Sequence, residues 1–169
     1  VHTPTVMLRR TRLERVKGFD ESLIRAGGDY DFHLRACREG EVAFLDAPAI
    51  QYQSGAGDRL TSPETSLHRG RNFLKTISGP LAHDRTRIKL PGRMIDAVLA
   101  EAHGWIGEDA LWLGLHGEAR THLRESLRHK PWQLRVALLG VVALLPGPVA
   151  RGLRQAYGRA KSLIKRMLG

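Results

Sequence analysis

The stretch Lys17-Gly18-Phe19-Asp20-Glu21-Ser22-Leu23, a short bridge, and then Gly28-Asp29-Tyr30-Asp31-Phe32-His33-Leu34-Arg35 couples a turn to a carboxylate-bearing helix start. Gly18 supplies a permissive backbone after the basic, partly apolar run that ends at Val16. Asp29 and Asp31 fall where the first turn of a helix leaves N–H groups without partners, and negative charge is favoured there.

Working outward, periodicity predicts a strand over residues 5–8, a short helical turn over 12–16 and a helix over 29–39. A second strand is expected over 42–45. Gly55, Gly57 and Pro63 among polar residues predict a loop over 48–66, merging into a helix over 63–77.

This order of motifs resembles the second half of the inverting family 2 glycosyltransferases of the GT-A fold. There a Gly-Phe-Asp-Glu turn precedes an acidic pair and a helix ending in Arg. The resemblance covers roughly the first 75 residues. It includes Val6-Met7-Leu8-Arg9-Arg10 as the strand before the turn and Gly40-Glu41-Val42-Ala43-Phe44-Leu45-Asp46-Ala47-Pro48 as the strand after the helix. Gly28 stands where the family usually has Glu, and His33 where it often has Trp. Tyr52-Gln53-Ser54-Gly55 replaces a Tyr-Arg-x-His run, so a histidine that helps bind metal in the family has no counterpart there.

The resemblance implies an α/β remnant of a GT-A nucleotide-sugar transferase domain followed by an α-helical C-terminal region. It implies that Asp29 is the general base that deprotonates an acceptor hydroxyl, with Asp31 a helix-start or acceptor-site carboxylate and His33 beside the acceptor. Such a hydroxyl has a pKa far above 7, and a base within hydrogen-bond reach contributes about 10²–10⁴-fold. Single displacement then inverts the anomeric centre. Arg59, Arg69 and Arg71 would meet donor phosphate, although solvated surface arginines are the commoner role for such residues. Asp20 and Glu21 read as structural, shaping the turn. The departing nucleoside diphosphate calls for a divalent cation, Mg or Mn, in the full-length parent, and no metal is assigned within this chain. Expected partners of the parent are a nucleotide-sugar donor and a glycan or lipid-linked acceptor. The chain reads as a fragment, inactive alone.

Composition changes near Gly79-Pro80, dividing the chain into residues 1–78, a linker over 79–92 and a helical accessory region over 93–169. Met94, Ile95, Val98, Leu99 and Ala102 recur at helical spacing, and 108–115 continues that character. Gly117-Glu118-Ala119-Arg120, Leu123, Ser126-Leu127 and Pro131 resemble the second helix of a tetratricopeptide-like hairpin; one unit makes an αα-hairpin rather than an array. Trp105 and Trp112 read as packing residues.

The net charge of +10 is unevenly placed, because residues 126–169 hold nine Lys and Arg and no acidic residue. Residues 136–145 are apolar but too short to cross a bilayer, which needs about 18–20. Beyond Pro146-Gly147-Pro148, Val149, Leu153, Ala156, Tyr157, Ala160, Ile164, Met167 and Leu168 form an apolar stripe with cationic flanks. Docking on an anionic membrane surface and docking on the protein's own bundle are equally open for it. A basic helical module for nucleic acid is the rival from another class, weakened by a tail with only Trp132 and Tyr157 as aromatics.

Cys37 stands alone, which excludes an internal disulfide and favours a reducing compartment. A cytoplasmic protein, peripheral on the inner face of the membrane, is expected. The histidines, among them His68, His83, His103, His116, His122 and His129, show no paired metal spacing.

Overall fold

The computed structural model describes residues 3–23, 26–51, 63–150, 152 and 153. They include six α-helices, α1 (Arg10–Val16), α2 (Gly28–Arg38), α3 (Pro63–His83), α4 (Gly92–Trp112), α5 (His116–His129) and α6 (Leu134–Val142), with 3₁₀ turns at Thr3–Thr5 and Arg85–Arg87; residues 147–150, 152 and 153 are helical as well. The chain divides into two compact units, Val1–Thr76 and Ile77–Gly169. The helix α3 continues through Gly79 and Pro80.

The expected α/β architecture is overturned: the chain is all-α, with no strand or sheet among the described residues. Residues 6–9 and 41–46 have no regular structure. A strand is stable only when its backbone groups meet a neighbouring strand and its apolar side chains meet a core. Neither condition is satisfied over 42–45, where Val42, Phe44 and Leu45 are largely exposed. The alternation that favours a strand locally therefore has nothing to pair with.

The first unit forms around the turn at residues 17–23. The helix α1 ends in left-handed backbone at Lys17 (φ 58°) and Gly18 (φ 72°), which reverses the chain. Asp20 then closes an Asx turn by accepting the Ser22 N–H (2.9 Å). The Ser22 hydroxyl and N–H hold the Asp20 carboxyl below the usual carboxylate range. Val16, Phe32 and Ala36 make a small core with Leu8 against it, and Phe19 stacks on Phe32 with centroids 4.5 Å apart. Asn72 of α3 donates to the Ala26 carbonyl (2.6 Å), and Phe73 packs on Tyr30 (4.3 Å between centroids).

In the second unit α4 and α5 form the expected hairpin, joined through Gly114 (φ 81°). Ala100, Gly104, Gly107 and Ala110 lie along one face of α4, and these small residues allow α5 to approach closely. Ile106, Leu123 and Ser126 are fully buried between the helices. The buried Ser126 hydroxyl donates to the Ala100 carbonyl (2.7 Å), and the Gln133 amide donates to Ser126 O and Oγ (3.1 Å each), so the chain entering α6 is tied to the hairpin.

Three histidines gather along this interface. His103 Nδ1 and His122 Nδ1 lie 2.9 Å apart, so one donates to the other and only one proton fits between them. His129 stacks on His103 at 6.0 Å and pairs with Asp96 at 3.0 Å. Burial, then the His122 and His129 rings, depress the pKa of His103, with Glu125 opposing. The unfolded chain takes up the proton near pH 6.5 whereas the folded one resists it, so stability rises with pH here. The contribution is complete above about pH 6.5 and declines as the pH falls through that value toward the folded pKa. Thermal melts from pH 7.5 to 5 should show a shallower decline for His122→Gln than for the native chain; equal slopes would count against the coupling.

Candidate functional site

Asp29 sits in the first turn of α2, behind Gly27 (φ 90°) at the N-cap, and its side chain is exposed. Gly27 makes this start possible in two ways. Its left-handed backbone suits glycine, and a Cβ there would press on Asn72 Cβ at 3.3 Å. The Tyr30 N–H donates to Asp29 Oδ1 (2.9 Å), which satisfies one of the donors a helix start leaves open. The other carboxylate oxygen faces Thr3, whose hydroxyl lies 3.5 Å from Asp29 Oδ2 and 3.4 Å from His33 Nε2. Asp29 and His33, one helical turn apart, thus share one neighbour on the same face.

Asp31 faces another way. Its carboxylate is mostly buried and gripped by Arg35 through Nη2 (2.6 Å) and Nε (2.8 Å). The same guanidinium donates to the carbonyls of Val16 and Gly18 (2.9 Å to Gly18). One planar fork therefore locks α2 to the end of α1 and to the glycine turn, a role that suits Arg over Lys. Asp31 neutralises that fork and orients it.

The three arginines assigned to donor phosphate divide differently. Arg59, with the Tyr52-Gln53-Ser54-Gly55 run, lies outside the described residues. Arg69 and Arg71 stand on α3, Arg71 exposed and Arg69 half-buried, and the Arg69 carbonyl lies about 4 Å from where a Cβ on Gly27 would be. Lys75, further along α3, donates to the Ser22 hydroxyl (3.1 Å). Thr3 and Asn72 carry no signal in the sequence, because each contributes only through a contact made across more than 25 residues.

Among the described residues, no group of three or more His, Cys, Asp or Glu side chains is placed to hold a metal. They offer no ligand set for the divalent cation that the resemblance implies. Cys37 is an exposed free thiol on α2. No helix among the described residues is long and apolar enough to cross a membrane. Compared with family models, curated proteins and solved structures, the chain matches none of them.

Proposed function

We propose that this chain contributes the acceptor side of a glycosyltransferase, which moves a sugar from a nucleotide-sugar donor to a hydroxyl with inversion. The observation that carries the reading is the Asp29 carboxylate, exposed in the first turn of a helix whose start is fixed by Arg35 and Gly27. In this scheme Asp29 Oδ2, facing away from the Tyr30 N–H, takes the proton as the acceptor oxygen attacks the anomeric carbon. The bond from that carbon to the diphosphate breaks, and the diphosphate leaves with the electron pair. Thr3, beside that oxygen, and His33, which meets the Thr3 hydroxyl, orient the acceptor hydroxyl. Asp31 serves indirectly by holding Arg35, and Arg69 and Arg71 are the described candidates for donor phosphate.

The scheme requires a nucleotide-binding portion beyond the described residues. With the α/β framework gone, the base assignment rests on the local helix start, because proton abstraction depends on the groups around the carboxylate. A cytoplasmic setting at the inner membrane face belongs to the same reading, in keeping with the exposed thiol of Cys37.

The direct test is to incubate the full-length protein that carries this chain with a panel of nucleotide sugars and hydroxyl acceptors. Nucleoside diphosphate release and the anomeric configuration of the product are then followed. Acceptor-dependent release with an inverted product is the expected result. Retention of configuration would reject the single displacement, and failure of every donor to turn over would reject the transferase reading.

A further inference from the structure

The second unit carries a surface that sugar transfer does not use. On α6, Leu134, Leu138 and Val141 share one face and are 77 %, 58 % and 59 % exposed, with Trp132 before the helix and Leu144 after it also open to solvent. Single exposed apolar residues need no explanation, but a ridge of leucine and valine along one helix face does. The opposite face of α6 packs on the hairpin through Val136, Leu139 and Ala143, so the ridge is not a consequence of a helix placed the wrong way round.

Beside the ridge, between α5 and α6, runs a cleft of about 370 Å³. Leu123, Leu127 and Leu144 form its apolar wall, and Arg120, Arg124 and Arg128, one helical turn apart, form its rim. Arg128 is neutralised by Glu125 (3.0 Å). Arg120 donates to the Ala143 carbonyl (3.3 Å), a neutral acceptor. Arg124 is exposed on this rim, Lys130 is exposed at the end of α5, and no acidic residue occurs from Ser126 to the end of the chain. On the other flank Arg135 is closed by Glu108 (2.6 Å). The cationic edge therefore lies along the α5 side of the ridge.

We propose that this face is a membrane-docking surface, with α6 lying in the plane of an anionic phospholipid bilayer. Leu134, Leu138, Val141 and Trp132 enter the acyl boundary, while Arg120, Arg124 and Lys130 meet lipid phosphates. The chemistry matches on both counts: an apolar ridge beside cations is what an anionic interface accepts, and a tryptophan at the edge suits the headgroup layer. A helix of nine residues is about 13 Å long, which fits lying in the interface and not crossing it. A second copy of the chain fits less well, because a two-fold contact through this face would bring the arginine rim toward its own counterpart. This assignment is independent of sugar transfer, and failure of the transferase assay would leave it intact.

The test is flotation of the full chain with vesicles of phosphatidylcholine alone and of phosphatidylcholine with phosphatidylglycerol. Binding is expected only with the anionic mixture, and it should weaken as salt is raised. Leu138→Gln with Val141→Gln, both at exposed positions, should reduce partition roughly tenfold or more. Arg124→Glu should reduce it about fivefold or more. Unchanged flotation of the double variant would overturn the proposal and place binding elsewhere, the basic tail included. Brominated lipid should quench tryptophan fluorescence in the native chain, and Trp132→Phe should remove most of that quenching because Trp105 and Trp112 are half-buried. Quenching that survives the substitution would count against insertion of this face. Dimerisation abolished by the Leu138/Val141 variant, or salt-sensitive oligonucleotide binding without vesicle binding, would also overturn it.

Discussion

Asp29→Asn should lower sugar transfer by about 10²–10⁴-fold in the full-length protein while leaving donor binding nearly unchanged. The substitution separates two roles that one side chain combines. As a helix-start residue, Asp29 accepts the Tyr30 N–H through Oδ1, and an asparagine carbonyl accepts the same bond at the same distance. Loss of the negative charge in the first turn costs only about 0.3–1 kcal/mol. As a base, the group needs a lone pair that can take a proton near neutral pH, and an amide cannot supply it. A folded, donor-binding, inactive variant is thus the signature of a base, whereas a variant with native turnover would remove Asp29 from the mechanism. Asp31→Asn gives the contrast: it weakens the charge-assisted grip of Arg35 and should lower the melting temperature of the first unit before it affects chemistry.

Gly107→Val should disrupt the second unit more than any surface change. A Cβ at position 107 would stand 2.7 Å from Leu123 Cγ, 2.9 Å from Leu123 Cδ2 and 3.0 Å from the Leu123 backbone nitrogen. Leu123 is 1 % exposed, and its backbone nitrogen moves only if α5 moves. Replacing a mid-helix glycine with alanine gains up to about 1 kcal/mol in helix propensity, but overpacking costs typically 1–3 kcal/mol and valine adds two further methyls. A loss on the order of 3 kcal/mol or more is expected, read as an earlier midpoint in urea unfolding. Gly117→Ala is the control. Nothing lies within 4 Å of a Cβ there, so the same class of change on the hairpin's exposed side should be neutral or slightly stabilising. Equal midpoints for Gly107→Val and the native chain would show that the helices are not in close contact at this point.

The same glycine explains part of what the sequence conceals. The apolar spacing over 93–105, continued over 108–115, shows the helical character of this region, and α4 runs unbroken from Gly92 to Trp112, but the spacing does not show what Gly104 and Gly107 do within it. Both glycines make room for α5, with Ser126 Oγ 3.2 Å from a Cβ at position 104. Helix α2 was legible almost to the residue, 29–39 expected against Gly28–Arg38, because its signals are local: a glycine before it, acids in its first turn, arginines in its last. The expected strands at 5–8 and 42–45 failed for the converse reason. Strand propensity is a statement about partners, and the described residues provide none. In the candidate site, the carboxylate at 29 was visible from its position in the pattern. The reach of Arg35 to Val16 and Gly18, and the placement of Thr3 between Asp29 and His33, were not.

Residue order alone determined where α2 begins, that its first turn carries negative charge, and that the C-terminal region is strongly cationic. Each of these depends on neighbours within a few positions. Only the tertiary structure decided that Asp31 is spent on Arg35 while Asp29 stays open, that glycines in α4 join helices instead of ending them, and that α6 turns its leucines outward beside an arginine rim. Those outcomes depend on which surfaces meet across tens of residues, and short-range pattern carries no record of that.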